Sequence, residues 1–170
     1  MADMNGTAKA CHVREKIVQL ICYAETLRGL THYAAIKAQP RELGIFVPDP
    51  LYVNMAKYHF AHGYHEAVRN VQDIAGGSLV TGPGAEDLSS PATSPYYERF
   101  YAGRIGVSGK ERLQALSLVR DLVASEFATY QEVLAVHAEG SLEAEKLMLF
   151  RSYDARRSVA FVRRLAGLHE

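Results

Sequence analysis

The chain has 170 residues, 48% of them hydrophobic, and its 19 basic and 19 acidic residues leave a net charge of +0 and a pI near 7.1. That balance, with the basic residues scattered, excludes an electrostatic grip on nucleic acid or an anionic membrane. No apolar run approaches the roughly 18 residues of a membrane span, and without an apolar signal core at its start the chain is expected in the cytoplasm.

Residues 1–8 are expected to form a disordered tail ahead of a single helical domain over residues 9–170. From about Thr7 to Ala38, apolar residues recur at Ile17, Leu20, Ile21, Ala24, Leu27, Leu30 and Ala34, close to a 3.6-residue period, which predicts a long helix. Cys11 and Cys22 lie on it about 16 Å apart along the axis, too far to pair within that helix. They are expected as buried free thiols in a reducing compartment. Pro40 ends the helix, because the residue before a proline is pushed out of the helical region. Residues 41–48 follow as an extended connection. Asp49-Pro50 then opens a second helix, a capping carboxylate ahead of proline at the first helical position, which runs to about Ala75.

Residues 76–94 are rich in glycine, proline and serine and predict a non-helical loop, with Leu79-Val80-Thr81 briefly extended. A short helix over residues 95–102 carries Tyr96, Tyr97, Phe100 and Tyr101, either as packing residues or as an aromatic wall for a flat ligand. Ser108-Gly109-Lys110-Glu111 is a capping box that opens a long helix to about Ala138, with Leu113, Leu116, Val119, Leu122, Val123 and Phe127 along its stripe. Gly140-Ser141 stops it and caps the next helix, and Asp154 re-caps a final segment ending at Gly167. With no useful strand alternation, the fold class is all-α, an antiparallel four-helix bundle with an inserted Gly/Pro-rich loop.

Candidate chemistry is sparse. His59, His62 and His65 recur every three residues beside Glu66, but the third has rotated past the face of the first. They read as a polar helix face or a subunit contact, with no metal assigned. His137 and Glu139 near a helix end are dipole and solvent partners. Arg156, Arg157, Arg163 and Arg164 form a solvated face. No catalytic residue is assigned.

The most informative segment is Val71-Gln72-Asp73-Ile74-Ala75-Gly76-Gly77-Ser78-Leu79-Val80-Thr81-Gly82-Pro83-Gly84. Paired glycines take positive φ at little cost, so they cap the helix and end it in a turn. They can also leave backbone N–H groups aimed outward in a concavity that suits a pyrophosphate. Because a helix C-terminus repels anions, any phosphate belongs on the loop amides beyond it.

Gln72-Asp73-Ile74-Ala75-Gly76-Gly77, Val80-Thr81 and Pro83-Gly84-Ala85-Glu86-Asp87-Leu88 resemble the C-terminal domain of one flavoprotein family. Its members include 4-hydroxyphenylacetate 3-hydroxylases and 4-hydroxybutyryl-CoA dehydratases. The resemblance continues through Tyr96-Tyr97-Glu98-Arg99-Phe100-Tyr101-Ala102-Gly103, Glu111-Arg112, Ser125-Glu126-Phe127-Ala128-Thr129-Tyr130-Gln131-Glu132-Val133-Leu134 and Ala160–Gly167, and covers the chain from about Lys9 onward.

It implies a helix bundle like the C-terminal domain of acyl-CoA dehydrogenases, with the family's N-terminal helical region and β-barrel absent. It also implies FAD contact through Gln72, Asp73, Ile74, Ala75, Gly76 and Gly77, and through Ser125, Glu126, Phe127, Ala128, Thr129 and Gln131. Ala128 stands where the hydroxylases tend to carry glycine, and with Thr129 it makes a bulkier surface. The first block is similar to the dehydratase branch and the second to the hydroxylases. Cys11, His12 and Cys22 do not sit where the dehydratases' iron–sulfur ligands would fall. The expectation is an FAD-contacting, homo-oligomerising (dimeric or tetrameric) C-terminal domain, inactive alone and completed by a separate N-terminal flavoenzyme subunit. The alternative is a stand-alone helical assembly module without cofactor chemistry.

Overall fold

Two helices of 26 residues, α1 (Cys11–Ile36) and α2 (Pro50–Ala75), form the hairpin on which the rest is built. The computed structural model describes residues 1–138 and 140–168. α2 starts where the local signals place it: the Asp49 Oδ1 accepts from the Leu51 N–H at 2.9 Å and from the Tyr52 N–H, and Pro50 follows the cap. It stops at Gly76, whose φ of 79° and ψ of −178° are accessible essentially to glycine alone. The connection between α1 and α2 is more ordered than an extended linker. β1 (Gln39–Pro40) pairs antiparallel with β2 (Phe46–Val47) around a tip at Glu42–Gly44, where Leu43 has a φ of 64°.

Contacts between α1 and α2 run in opposite senses, which makes the pair antiparallel. Lys16 meets Asp73 at 3.0 Å, Gln19 accepts from Asn70 at 2.9 Å, Tyr23 donates to the Phe60 carbonyl at 2.7 Å, and the rings of Tyr33 and Tyr52 meet edge-on at 4.6 Å. Asn70 is buried, and the Gln19 bond is what makes its burial tolerable. At Gly63 a Cβ would lie 2.6 Å from the Tyr23 ring, so only glycine admits this close approach.

The opposite side of α2 is covered by α6 (Gly109–Val123), α7 (Glu126–His137) and α8 (Leu142–Ser152) in turn. Gln72 bonds to Val123, His65 to Glu132, and Lys57 to Glu145, so this path also runs against α2. The chain is predominantly helical, as expected, but the single long helix expected over residues 108–138 is two helices. Ala124 leaves helical geometry (φ −152°, ψ 19°), and the Ser125 hydroxyl accepts from the Ala128 N–H at 3.1 Å, capping a new start. No glycine or proline marks this break; a serine able to cap serves instead.

The main core cluster lies at the far end of α2, where Ala75, Leu79, Leu113 and Leu116 pack together with Tyr97, Tyr101 and Met1. Burying Leu79 explains why the expected loop is not a loop. It holds α3 (Ser78–Thr81) and α4 (Ala85–Ser89), and the Leu79–Thr81 piece is helical rather than extended. α5 (Ser94–Phe100) follows.

Residues 1–8, expected as a disordered tail, form turns seated on this end. Asn5 donates to the Ile74 carbonyl at 3.2 Å and accepts from Arg112 at 2.7 Å, and Arg104 pairs with Asp3. Their polar partners lie about 70 to 107 positions away in sequence, beyond any local signal.

Ser141 caps α8 through the Ala144 N–H at 3.1 Å. Asp154 accepts from the Arg156 N–H at 3.0 Å where α9 (Arg156–Leu165) begins. Cys11 and Cys22 are free but exposed, not buried as expected. Among the described residues, no helix is long and apolar enough to cross a membrane.

Candidate functional site

The end of α2 meets the break between α6 and α7 in an open groove of about 450 Å³, lined by Gln72, Asp73, Gly76, Gly77, Val80 and Ala124, with Leu79 beneath. The Gly76 N–H closes the helix on the Gln72 carbonyl at 2.9 Å. Gly77 then takes right-handed helical angles, φ −56° and ψ −31°, and leads into α3, whose first turn bonds back to the Gly76 and Gly77 carbonyls. The two glycines therefore do different things. Gly76 makes the turn, while Gly77 keeps the backbone bare. A Cβ at either would meet nothing within 4 Å, so this stretch of main chain is open to an approaching group.

The charge in the groove is mixed. The carbonyl end of α2 carries partial negative charge, and Asp73 adds a carboxylate. Lys16 of α1 answers it at 3.0 Å, with a side chain only 26% exposed. The α2 terminus itself therefore disfavours an anionic group.

Of the first predicted set, Gln72, Asp73, Gly76 and Gly77 line this groove. Ile74 is turned to Asn5 through its carbonyl, and Ala75 is buried in the core. The second set sits one step beyond the groove's edge at Ala124. Ser125 is occupied as a cap and donates to the Asp121 carbonyl at 2.9 Å, and Thr129 donates to the Ser125 carbonyl at 3.2 Å. Ala128 is buried, Gln131 half-buried, and Glu126 and Phe127 exposed. Lys16 and Ala124 were not singled out by sequence reasoning, and Val80 entered there only as part of a family motif, not as a site residue. Lys16 enters only through the packing of α1 on α2, which no local pattern encodes.

The other constellations disperse. His59 lies 3.0 Å from the Tyr23 carbonyl, His62 stacks on Tyr58, and His65 bonds to Glu132 at 2.6 Å. No cluster of three metal-ligating side chains occurs among the described residues. Tyr97 and Tyr101 pack on the core, whereas Tyr96 and Phe100 are exposed. Glu98 accepts from the Gly109 and Lys110 amides and adds a second carboxylate to the start of α6. His137 ends α7, and Glu139 lies outside the described residues.

The sequence matches the family described as the 4-hydroxyphenylacetate 3-hydroxylase C terminal over residues 1–167. It is 26% identical to the 4-hydroxybutyryl-CoA dehydratase/vinylacetyl-CoA-Δ-isomerase of Clostridium aminobutyricum over 98% of this chain and 36% of that protein. It is 29% identical to the oxygenase component of 4-hydroxyphenylacetate 3-monooxygenase from Thermus thermophilus, over 78% of this chain and 27% of that protein. Among solved structures, an oxygen-tolerant archaeal 4-hydroxybutyryl-CoA dehydratase from N. maritimus superposes with a TM-score of 0.87 at 27% identity, over 99% of this chain and 34% of that one. An oxygenase component of 4-hydroxyphenylacetate 3-monooxygenase complexed with FAD superposes with the same TM-score at 26% identity, over 96% of this chain and 34% of that one. The chain thus spans about a third of the length of these relatives.

Proposed function

Since the chain belongs to the 4-hydroxyphenylacetate 3-hydroxylase C-terminal family, we propose that it is the FAD-contacting, oligomerising C-terminal domain of a flavin-dependent aromatic ring hydroxylase or of a 4-hydroxybutyryl-CoA dehydratase-type enzyme. The observation that carries this reading is the groove beside Gly76 and Gly77, where bare backbone and about 450 Å³ of space admit a phosphate-sized group. FAD bound in the related oxygenase supports the choice of ligand. The Gly77 amide and the Gln72–Asp73 rim would hold the cofactor's diphosphate part, with Lys16 offsetting Asp73. The flavin supplies the redox chemistry when bound. The residues of this chain bind and orient it, and an N-terminal flavoenzyme part supplies the enclosure around the reacting ring. The assembly is a homodimer or homotetramer.

The test is retention of FAD, read by flavin absorbance after gel filtration, by the chain mixed with an N-terminal helical and β-barrel part from a related enzyme. Wild type is expected to retain flavin and Gly77→Val to lose it at unchanged stability. Equal retention by both, or none by wild type, defeats the proposal. A second reading, a helical assembly module without cofactor chemistry, draws support from Asp73 and the α2 carbonyl end, which set negative charge beside the groove. That reading expects no retention and an intact oligomer.

A further inference from the structure

The turns at the start of the chain do more than cover the core: they set one amide against the end of α2. The Asn5 N–H bonds to the Met1 carbonyl and the Thr7 N–H to the Ala2 carbonyl, both at 2.9 Å, so the segment holds its own shape. Outside partners fix that shape on the molecule. The Arg104 N–H donates to the Met4 carbonyl at 2.8 Å, and the Arg104 guanidinium pairs with Asp3.

The Asn5 side chain reaches in two directions. Its Oδ1 accepts from the Arg112 Nε at 2.7 Å, and Arg112 also donates to the Tyr101 carbonyl at 3.3 Å. A guanidinium can only donate, so the amide oxygen must face Arg112 and the amide nitrogen must face away. That nitrogen donates to the Ile74 carbonyl at 3.2 Å. The bond satisfies one of the last carbonyls of α2, which have no partner within the helix. Aspartate would keep the Arg112 contact but set a carboxylate oxygen against the Ile74 carbonyl.

Ile74 lies just ahead of the glycine turn, and that turn has no side chain of its own to hold it. Gly76 carries a φ of 79°, and a Cβ at Gly76 or Gly77 would meet nothing within 4 Å. Its shape therefore depends on what grips the chain before it, which is Gln72 through Val123 and Asn5 through Ile74. The Asn5 amide, with the Arg112 cation behind it, also offsets part of the negative end of α2 that disfavours an anion.

We propose that Asn5 is a positioning residue of the glycine groove, a role that rests on the FAD reading above. By holding the Ile74 carbonyl it sets the Gly76–Gly77 turn on which the cofactor's diphosphate is seated.

Amide hydrogen exchange on the full chain reads the turn without cofactor. The reporters are the Gly76 N–H, bonded to the Gln72 carbonyl at 2.9 Å, and the Leu79 N–H, bonded to the Gly76 carbonyl at 3.0 Å. Asn5→Asp is expected to speed exchange at both by about tenfold, with the amides of buried Ala34 and Ala61 unchanged. Asp3→Asn breaks the pair with Arg104, a bond that does not involve α2, and is expected to leave both reporters at the wild-type rate. In the assembly with a related N-terminal part, Asn5→Asp is expected to lose flavin on gel filtration and Asp3→Asn to keep it. Unchanged reporters in Asn5→Asp overturn the proposal. So do equal effects of the two variants, or faster exchange that extends to Ala34 and Ala61, either of which marks a merely structural role. Faster reporters with full flavin retention overturn it as well. A wild type that retains no flavin, with both reporters still freed by Asn5→Asp, defeats the FAD reading and leaves the hold of Asn5 on the turn standing.

Discussion

The side-chain amide of Gln72 donates to the main-chain carbonyl of Val123 at 2.6 Å, tying the end of α2 to the last residue of α6. Terminal carbonyls of a helix have no partner within it, so this glutamine completes α6 from outside. It also joins the two walls of the glycine groove, with Gln72 on one side and Ala124, next in chain after Val123, on the other.

Replacing Gln72 with leucine keeps the bulk and removes the donor. The Val123 carbonyl is then left without that partner in a half-buried setting, at a cost of about 1–2 kcal/mol. Urea unfolding is the measurement. A midpoint equal to that of wild type would mean that water replaces the glutamine without loss.

Gly76 and Gly77 separate in their response to alanine. Gly76→Ala forces a Cβ into a backbone region reserved for glycine and is expected to cost roughly 1–3 kcal/mol. Gly77→Ala occupies ordinary helical angles with open space around the new methyl group, and is expected to fall within about 0.5 kcal/mol of wild type. Thermal unfolding of the two variants side by side decides it; equal losses would refute the division of labour between the glycines.

Lys57 stands 3.6 Å from Glu145, whose side chain is 5% exposed and whose oxygens have no hydrogen-bond partner among the described residues. Removing the cation strands a buried carboxylate, so Lys57→Met is expected to destabilise the fold by about 3–5 kcal/mol. Adding Glu145→Met removes the stranded charge and should recover much of that loss. Denaturant midpoints for the single and double variants test it, and a single variant as stable as the double would show that the charge is relieved some other way.

Glu111 bonds to the Ser108 N–H at 2.9 Å and to its hydroxyl at 2.8 Å, and these bonds hold its carboxyl below the ordinary 4.5. A carboxyl lowered by folding contributes stability above its unfolded pKa and loses it as pH falls through the folded one. Wild type should therefore lose more stability than Glu111→Gln as the pH falls below 4.5 and through the lowered pKa of Glu111. Parallel pH profiles from urea unfolding would show that the capping carboxylate is not coupled to folding.

What the sequence determined by itself is what a few neighbouring residues can settle. Asp49-Pro50 starts α2, Gly76 stops it, Ser108 and Glu111 open α6, and Ser141 opens α8, each because a side chain or a glycine acts on backbone within three or four positions. The ordered motifs likewise identified the family, since they depend on residue order and spacing alone. Only the tertiary structure decided where Ser125 breaks a helix whose apolar period continues across it, and that residues 1–8 are seated through Asn5, Ile74 and Arg112. Only packing decided that Leu79 is drawn into a core, and that four of the twelve suspected cofactor residues line one groove, where Asp73 is paired with Lys16. Those outcomes depend on side chains far apart in the chain that compete for the same buried space, and no local period records which of them will meet.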